Sequence, residues 1–440
     1  METTFTKIVF LAVLLLPWAA HVRGEDLTFQ KTFELARENA LDLNLARYQV
    51  DIALANKDVA SARLFPQINL FGQRSENDLS YDNNSVYQDM NYPGTRVGLS
   101  FRQPILNASD LSEARRQKFL LDLSRNNLVI TENRLLDELL RTFLNVLLTE
   151  AVVEQIKTEI EALVVQLKEA QALYGRKLIP VTQVLETQAR LDTLRADETT
   201  ASADVVVAKG ELRKFVGGKS VTPLAVKDRI SLMPSLSSEE DAVLRALQNS
   251  LVVASAEVSL AAARKGVDRE RGSWIPNIDL VYNFQHSDVG FDNLSSPARD
   301  TSTIALGFNY PIFEGGAGAA RLRGAWAEVF SAEAELKAAR LEVEAEARTA
   351  WLRLEATGER VIASRRALSA ASKNVEAAEK AVKAGTARVT DVLLALAQKT
   401  RAEGNLNAAS AEYALTWTQL ELATGASPKR LAIALSAALH

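Results

Sequence analysis

The residue types that most often carry out chemistry in proteins are scarce in this chain of 440 residues. The chain has no cysteine and only three histidines, two of which, His21 and His440, lie near its ends. A thiolate nucleophile, a disulfide framework and a zinc-thiolate site are therefore excluded. No HExxH, GxSxG or phosphate-binding GKS/T sequence occurs. We expect a protein that is not an enzyme, with no cofactor and no resident metal.

The charges of the chain nearly cancel, because 51 Lys and Arg oppose 55 Asp and Glu for a net charge of −4. Proteins that bind nucleic acid need a basic surplus on one face to neutralise phosphates. The sequence therefore predicts no nucleic-acid partner.

The N-terminus has the features of an export signal. Lys7 precedes an apolar segment, 8–18, which is too short to cross a bilayer as a helix. Val22 and Gly24 occupy the small-residue positions before a cut at Glu25. We predict a signal peptide at 1–24; an uncleaved anchor or a buried helix is the alternative.

The rest of the chain contains two copies of one unit. The segment 65–70 recurs 210 residues later, 97–105 recurs 207 residues later, and 181–185 recurs 208 residues later. Three matches in the same order at nearly one offset indicate an internal duplication.

Each copy begins with an apolar helical pattern, at 27–64 and 237–266, and continues with two segments of alternating polarity. Such alternation is typical of membrane-barrel strands, which face lipid on one side and water on the other. We predict that the lipid-facing side chains are Ile68, Leu70, Val97, Leu99, Phe101, Ile278, Leu280, Tyr282, Ile304, Leu306 and Phe308.

A very long helix follows each pair of strands. Residues 108–173 contain neither Gly nor Pro, and such a helix would be about 100 Å long at 1.5 Å per residue. Apolar residues recur every seven positions from Leu139 to Leu167, and again from Ala347 to Val382. A sustained heptad predicts a coiled-coil seam, which a return helix beyond a short turn can cover.

Four strands per chain are too few to close a membrane barrel, because the smallest barrels have about eight strands. Several copies of the chain must therefore contribute strands to one barrel. Two alternatives are a cytosolic or filamentous coiled-coil protein with surface hairpins, and a soluble sandwich with the strand aromatics in its core. The export signal opposes the first, and the long helices between the strands oppose the second.

The twofold order of helix, strand pair and long helical hairpin, with turns such as 384–393 (AGTARVTDVL), resembles the TolC-type outer-membrane efflux factors. The resemblance implies a mainly α-helical homotrimer with a small twelve-stranded β-barrel in the outer membrane above a helical tunnel in the periplasm. It also implies that a periplasmic adaptor protein and an inner-membrane transporter dock at the helical tips. The linker between the copies and the end of the chain would form a belt midway along the tunnel.

The resemblance assigns roles to both hairpin turns. Residues expected to contact the adaptor are Lys177, Leu178, Ile179, Ala384, Gly385 and Thr386. Residues expected at a periplasmic gate are Asp391, Thr390, Arg388, Gln183, Thr182 and Leu394. The family usually has a glycine in each turn, whereas the first copy has Lys177. The family also often has two acidic residues one turn apart, and here Leu394 replaces the second. The alternative role for Asp391 is a carboxylate that stabilises a helix start.

We thus predict an exit duct that passes substrates from a periplasmic pump complex to the exterior; a periplasmic adaptor-like coiled-coil protein is the alternative. The predicted segments are the signal peptide 1–24, a first repeat at 25–216, a linker at 217–238, a second repeat at 239–425 and a tail at 426–440. Strands are expected near 66–74, 95–103, 276–286 and 302–310, and hairpin turns near 174–181 and 384–389.

Overall fold

The computed structural model describes residues 25–80, 90–218, 221–223, 237–289 and 295–439, so the predicted signal peptide and most of the predicted linker lie outside the described residues. The strands are β1 (Glu25–Leu27), β2 (Gln67–Leu79), β3 (Met90–Leu106), β4 (Val221–Pro223), β5 (Asn277–Val289) and β6 (Ser295–Asn309). The helices are α1 (Phe29–Asn39), α2 (Leu41–Ala62), α3 (Ala108–Gly175), α4 (Val181–Phe215), α5 (Glu239–Asn249), α6 (Leu251–Gly272), α7 (Ala317–Lys383), α8 (Val389–Ala423) and α9 (Pro428–Leu439).

The opening helix of each repeat is divided in two, which corrects the prediction of one continuous helix. The first breaks at Ala40, whose backbone is extended, and the second breaks at Ser250. Ser250 caps α6, because its hydroxyl accepts hydrogen bonds from the backbone N–H groups of Val252 and Val253. Ala40 has no side-chain cap, and the helix before it packs in the core, where Phe33 is 2% exposed.

The two long helical hairpins agree with the predicted heptad seams. α3 packs against α4, and α7 packs against α8. Leu139, Val146, Ala347 and Leu354 of the seams are buried, at 0–4% exposure. Leu139, Val146 and Leu354 belong to the main core, whereas Ala347 packs against Val243 and Ala246 of α5, so at that level the apolar repeat of α7 faces an opening helix.

The four long strands form one antiparallel sheet in the order β2-β3-β5-β6. All four are longer than predicted, and the difference is largest at the ends away from the helices. There the residues are mostly polar, so apolar alternation does not mark where the strand ends. Within the described residues, β2 pairs only with β3 and β6 only with β5, so the sheet has two open edges.

Below the sheet the helices form a layer in the order α2-α3-α6-α7, and lower down α8 lies against α3. The main core lies where α1, α9 and the ends of α4 and α8 meet the middle of α3. Phe29 and Phe143 meet there edge to face, with ring centroids 5.3 Å apart. The predicted tail includes helix α9, whose Leu431, Leu435 and Leu439 are buried in this core.

By length and composition, one described helical stretch, Glu239–Gly272, is apolar enough to cross a bilayer. It comprises α5 and α6, which meet at Ser250 and pack along α7 and α3. Composition alone is therefore weak evidence for a membrane span here.

Candidate functional sites

The strand register places every residue of the predicted lipid-facing set on one face of the sheet. Ile68 pairs with Phe101, which pairs with Tyr282, which in turn pairs with Ile304. Directly paired residues of neighbouring strands project to the same side. Most of these side chains are exposed in the single chain; Leu70, at 79%, is an example.

This apolar face ends in polar residues toward the outer loops. Two residues beyond Phe284 on β5, His286 Nδ1 lies 2.7 Å from Asp300 Oδ1 of β6. From Ile278 to Phe284 the apolar face runs for about 20 Å along the strand, at about 3.4 Å per residue. That length is close to the apolar height of an outer-membrane barrel, about 25 Å.

The opposite face of the sheet is largely polar, with Asn, Gln, Ser and Thr side chains on all four strands. Near its lower end, Arg102 donates a hydrogen bond of 2.7 Å to Asp279 Oδ2 on the neighbouring strand. Such a face is suited to an aqueous lumen.

At the second hairpin tip, Asp391 lies in the first turn of α8. Its Oδ2 accepts a 2.9 Å hydrogen bond from the backbone N–H of Arg388, and its own N–H donates to the Arg388 carbonyl at 3.0 Å. The carboxylate thus caps the helix start, which is the alternative role that the sequence left open. It is also exposed, as are Arg388 and Leu394, whereas Thr390 is half-buried.

At the first tip, Gln183 occupies the position of Asp391. Its backbone N–H reaches the Pro180 carbonyl at 3.3 Å, and its side chain is exposed, as is that of Thr182. Pro180 has no N–H, so no side chain is needed to accept a hydrogen bond there.

The two turns have the same backbone despite their different residues. Leu178 N–H donates to Leu173 O at 3.0 Å, and Thr386 N–H donates to Ala381 O at 2.9 Å. This bond from the residue after the left-handed position is typical of a Schellman motif. Lys177 has φ of +61° and Gly385 has φ of +75°. The remaining predicted contact residues lie in these turns; Ile179 is half-buried and Ala384 is exposed.

An ion-pair network joins the two repeats where the helices meet the sheet. Arg269 of α6 contacts Glu113 of α3 at 3.1 Å and Glu270 at 2.7 Å. Burial disfavours ionisation of Glu113, but hydrogen bonds from Gln117 and Arg269 and the charge of Arg116 outweigh it and lower the pKa of Glu113. The network therefore holds α3 against α6 in a charged state at neutral pH.

The sequence did not predict this network or the pairing of Arg102 with Asp279. Arg96 and Arg102 alternate with Val97, Leu99 and Phe101, and so lie on the polar face of β3. Arg102 is 177 residues from its partner Asp279, and Glu113 is 156 residues from its partner Arg269. Only the fold brings such distant residues together.

Comparison with known proteins agrees with this geometry. The family described as "Outer membrane efflux protein" matches residues 32–218 and 242–426, two segments that each contain one strand pair and one long helical hairpin. Outer membrane protein TolC of Vibrio cholerae is 25% identical over 425 residues, covering 95% of this chain and 94% of that protein. Alkaline protease secretion protein AprF of Pseudomonas aeruginosa is 24% identical, covering 77% and 71%.

Solved structures show the same fold. The outer membrane protein VceC of Vibrio cholerae superposes with a TM-score of 0.74 at 16% identity, covering 91% of this chain and 96% of VceC. The CmeC outer membrane channel of Campylobacter jejuni gives 0.76 at 15% identity, covering 100% and 98%. Because the family profile matches both repeats, the chain belongs to the outer membrane efflux protein family, a family of transport proteins of the outer membrane.

Proposed function

We propose that this protein is a homotrimeric exit duct of a tripartite efflux or type I secretion system. Three chains contribute twelve strands to one barrel in the outer membrane, and their helices form a tunnel in the periplasm. Substrates enter from an inner-membrane transporter through a periplasmic adaptor and leave passively. The observation that carries the proposal is that the sheet and the layer of helices below it both have uncovered edge elements, and that these edges lie on the same two sides of the chain.

In the strand layer the open edges belong to β2 and β6. In the helix layer the edges are α2 and α7, and α2 leads into β2 while β6 leads toward α7. Both layers therefore end at the same two sides of the chain. Copies placed side by side close both layers at once, and an unpaired strand edge inside a membrane is otherwise prohibitive.

The helix edges carry apolar stripes that a neighbouring copy would cover. On α2, Leu41 and Tyr48, and likewise Leu45 and Ile52, are spaced by seven residues and are 58–78% exposed. On α7, Phe330, Leu341 and Leu352 are spaced by eleven residues and are 54–63% exposed. Both spacings keep side chains on one helix face, as coiled-coil contacts require.

The exposed tips support docking of the adaptor. Both turns share one backbone conformation, so one type of adaptor helix would contact Leu178 and Ile179 in the first turn and Thr386 in the second. The linker and α9 would form the belt midway along the tunnel; β4 at the start of the linker pairs with β1 in parallel, and α9 packs on α1.

The alternative, an adaptor-like periplasmic protein, predicts one hairpin flanked by β-rich modules. The chain has two hairpins, each preceded by a strand pair, which favours the duct. Membrane fractionation separates the two functions: the duct should sediment with the outer membrane and resist a high-salt wash, whereas an adaptor-like protein should be released.

Disulfide trapping tests the trimer, because the chain contains no cysteine of its own. α2 runs toward the sheet and α7 runs away from it. Tyr48 and Phe330 lie at similar distances from the sheet along these helices, so we expect Tyr48 of one copy to lie near Phe330 of the next. The double variant Tyr48→Cys with Phe330→Cys should give a covalent trimer on oxidation.

The matched control is Tyr48→Cys with Leu352→Cys, whose second cysteine lies about 33 Å further along α7. It should remain uncrosslinked, since a disulfide needs its Cα atoms within about 7 Å. Monomers from both variants, together with a monomer mass in detergent, would refute the trimer.

A further inference from the structure

The polar face of the sheet carries a surplus of arginine. Among the described strand residues of this face, the charged side chains are Arg96, Arg102, Arg299 and Asp279. Asp279 pairs with Arg102 at 2.7 Å. Neither Arg96 nor Arg299 forms an ion pair with any residue that the structure describes. Among the described residues, two guanidinium groups per chain thus have no carboxylate partner on the face that the proposed duct turns to its lumen.

The register places these two arginines in one row. Arg96 of β3 and Arg299 of β6 both pair with Ser287, which lies on β5 between them. Their Cα atoms are thus two strand spacings apart, about 10 Å. Ser287 is 2% exposed, and its hydroxyl holds the bulge at Val289 by donating to the Val289 carbonyl at 2.8 Å. The row of Arg96, Ser287 and Arg299 therefore lies next to the bulge, where the regular pairing of β5 with its neighbours ends.

The surroundings of Arg96 restrict its side chain. Gly94 and Gly98 are its neighbours on the same face of β3. A Cβ at Gly98 would lie 2.5 Å from Phe71 Cζ, and a Cβ at Gly94 would lie 2.8 Å from Ser75 Oγ. Side chains of β2 thus crowd both sides of Arg96, and its Nε is buried without a hydrogen-bond partner in the described part of the chain. A buried donor of this kind is costly unless a ligand satisfies it.

Trimerisation would turn the two arginines into a belt. In the strand order β2-β3-β5-β6, repeated three times, β3 and β6 are every second strand of the twelve. The six guanidinium groups are therefore evenly distributed around the lumen, and strand tilt staggers their heights. Arginine remains charged throughout the physiological pH range.

We propose that Arg96 and Arg299 form an anion-attracting belt inside the barrel, which draws carboxylate, phosphate or sulfate groups of the transported molecules toward the exterior. Guanidinium groups bind such oxyanions through paired hydrogen bonds, and clefts lined by one sign of charge concentrate the opposite ion. The belt rests on the proposed trimeric duct and adds a preference for anions at its outer end.

The test is the ion selectivity of the full trimer in planar bilayers. Reversal potentials are measured in a KCl gradient, and tripolyphosphate is added on the side of the outer loops as a polyanionic blocker. Arg96→Gln with Arg299→Gln should lower the chloride-to-potassium permeability ratio at least about threefold and weaken the tripolyphosphate block about tenfold.

Two control variants test separately whether the positive charge and the face of the sheet determine the ion selectivity. Arg96→Lys with Arg299→Lys keeps the charge and should retain the wild-type chloride-to-potassium permeability ratio. Arg74→Gln removes an arginine from the other face of β2, next to Gln73, the partner of Arg96. It should leave selectivity and block unchanged.

The outcomes separate the belt from the duct. A glutamine double variant that conducts as a trimer with wild-type selectivity and wild-type block would overturn the belt and leave the duct standing. A wild-type trimer that forms no channel would instead overturn the proposed function, and the belt with it.

Discussion

The two hairpin tips have the same backbone and different chemistry. Each has a left-handed residue after its long helix, and each has the same hydrogen bond closing the turn. The first tip uses Lys177 and Pro180 where the second uses Gly385 and Arg388. The two tips therefore have the same backbone conformation with different residues, and within each tip the residue at the helix start fits the residue three positions later.

The helix start shows this matching. Arg388 has a backbone N–H that needs an acceptor, and Asp391 provides one at 2.9 Å. Pro180 has no N–H, and the corresponding residue is the neutral Gln183. A charge in the first helical turn thus accompanies a helix-capping need in one repeat and is absent where the need is absent.

The largest expected effect tests what the two strand pairs share, the apolar side of the sheet that we propose faces lipid. Leu99→Arg in the first repeat and Leu306→Arg in the second should each lower trimer stability by about 2 to 4 kcal/mol, because an arginine would face hydrocarbon. Ser100→Arg and Ala305→Arg, one residue away on the lumenal face, are the controls. Thermal dissociation of the trimer in lipid nanodiscs measures the difference. Equal losses in all four variants would contradict the assignment of the two faces.

The next effect separates the two roles of Asp391. At a threefold axis, three Asp391 carboxylates would repel one another and favour a bound divalent cation. Asp391→Asn retains an acceptor for the Arg388 N–H and removes the charge, whereas Asp391→Ala removes both. If Asp391 lines the gate, both variants should weaken divalent block of the channel about tenfold, or about 1.4 kcal/mol.

The capping role has a different signature. Asp391→Ala should accelerate hydrogen exchange in the first turn of α8, and Asp391→Asn should not, because loss of a cap costs about 1 kcal/mol. Accelerated exchange in the alanine variant with unchanged block in both would show that Asp391 serves only the helix start. Gln183→Ala in the first repeat is the control for both measurements.

Much of this fold was predictable from the sequence because its elements are long and regular. The heptads from Leu139 onward and the alternation around Leu99 repeat often enough to fix the element type and its buried or lipid-facing side. The breaks at Ala40 and Ser250 were missed, because the chain there lacks Gly and Pro and the bend serves the packing of α1 and α5. The ion pairs of Glu113 and Asp279 were missed because their partners are distant in sequence.

A smaller effect concerns the contact between the repeats at Glu113. Its pKa in the folded protein is lowered, so its contribution to stability is present above its ordinary pKa and is lost as the pH falls through the lowered value. Glu113→Gln should therefore reduce the unfolding free energy at pH 7 by less than about 1 kcal/mol, as expected for a partly exposed ion pair. The deficit should shrink toward pH 3, which acid titration of thermal unfolding measures. A deficit that persists undiminished at pH 3 would mean that packing, and not charge, accounts for the loss.

The smallest effect exchanges the left-handed residues of the two tips. Lys177, with φ of +61°, is the one non-glycine residue in the described part of the chain with positive φ, a conformation that costs about 1 to 2 kcal/mol. Lys177→Gly relieves this strain but adds about 0.5 to 1 kcal/mol of backbone entropy in the unfolded state, so a net gain of about 0.5 kcal/mol is expected. Gly385→Lys should cost a similar net amount, because the same strain is partly offset by the reduced entropy of the unfolded chain and a Cβ at Gly385 meets no atom within 4 Å. Hydrogen exchange of the Leu178 and Thr386 amides, whose bonds close the turns, reports both changes locally. Slower exchange in the first variant and faster exchange in the second are expected, and changes of the same sign in both would contradict the equivalence of the two turns.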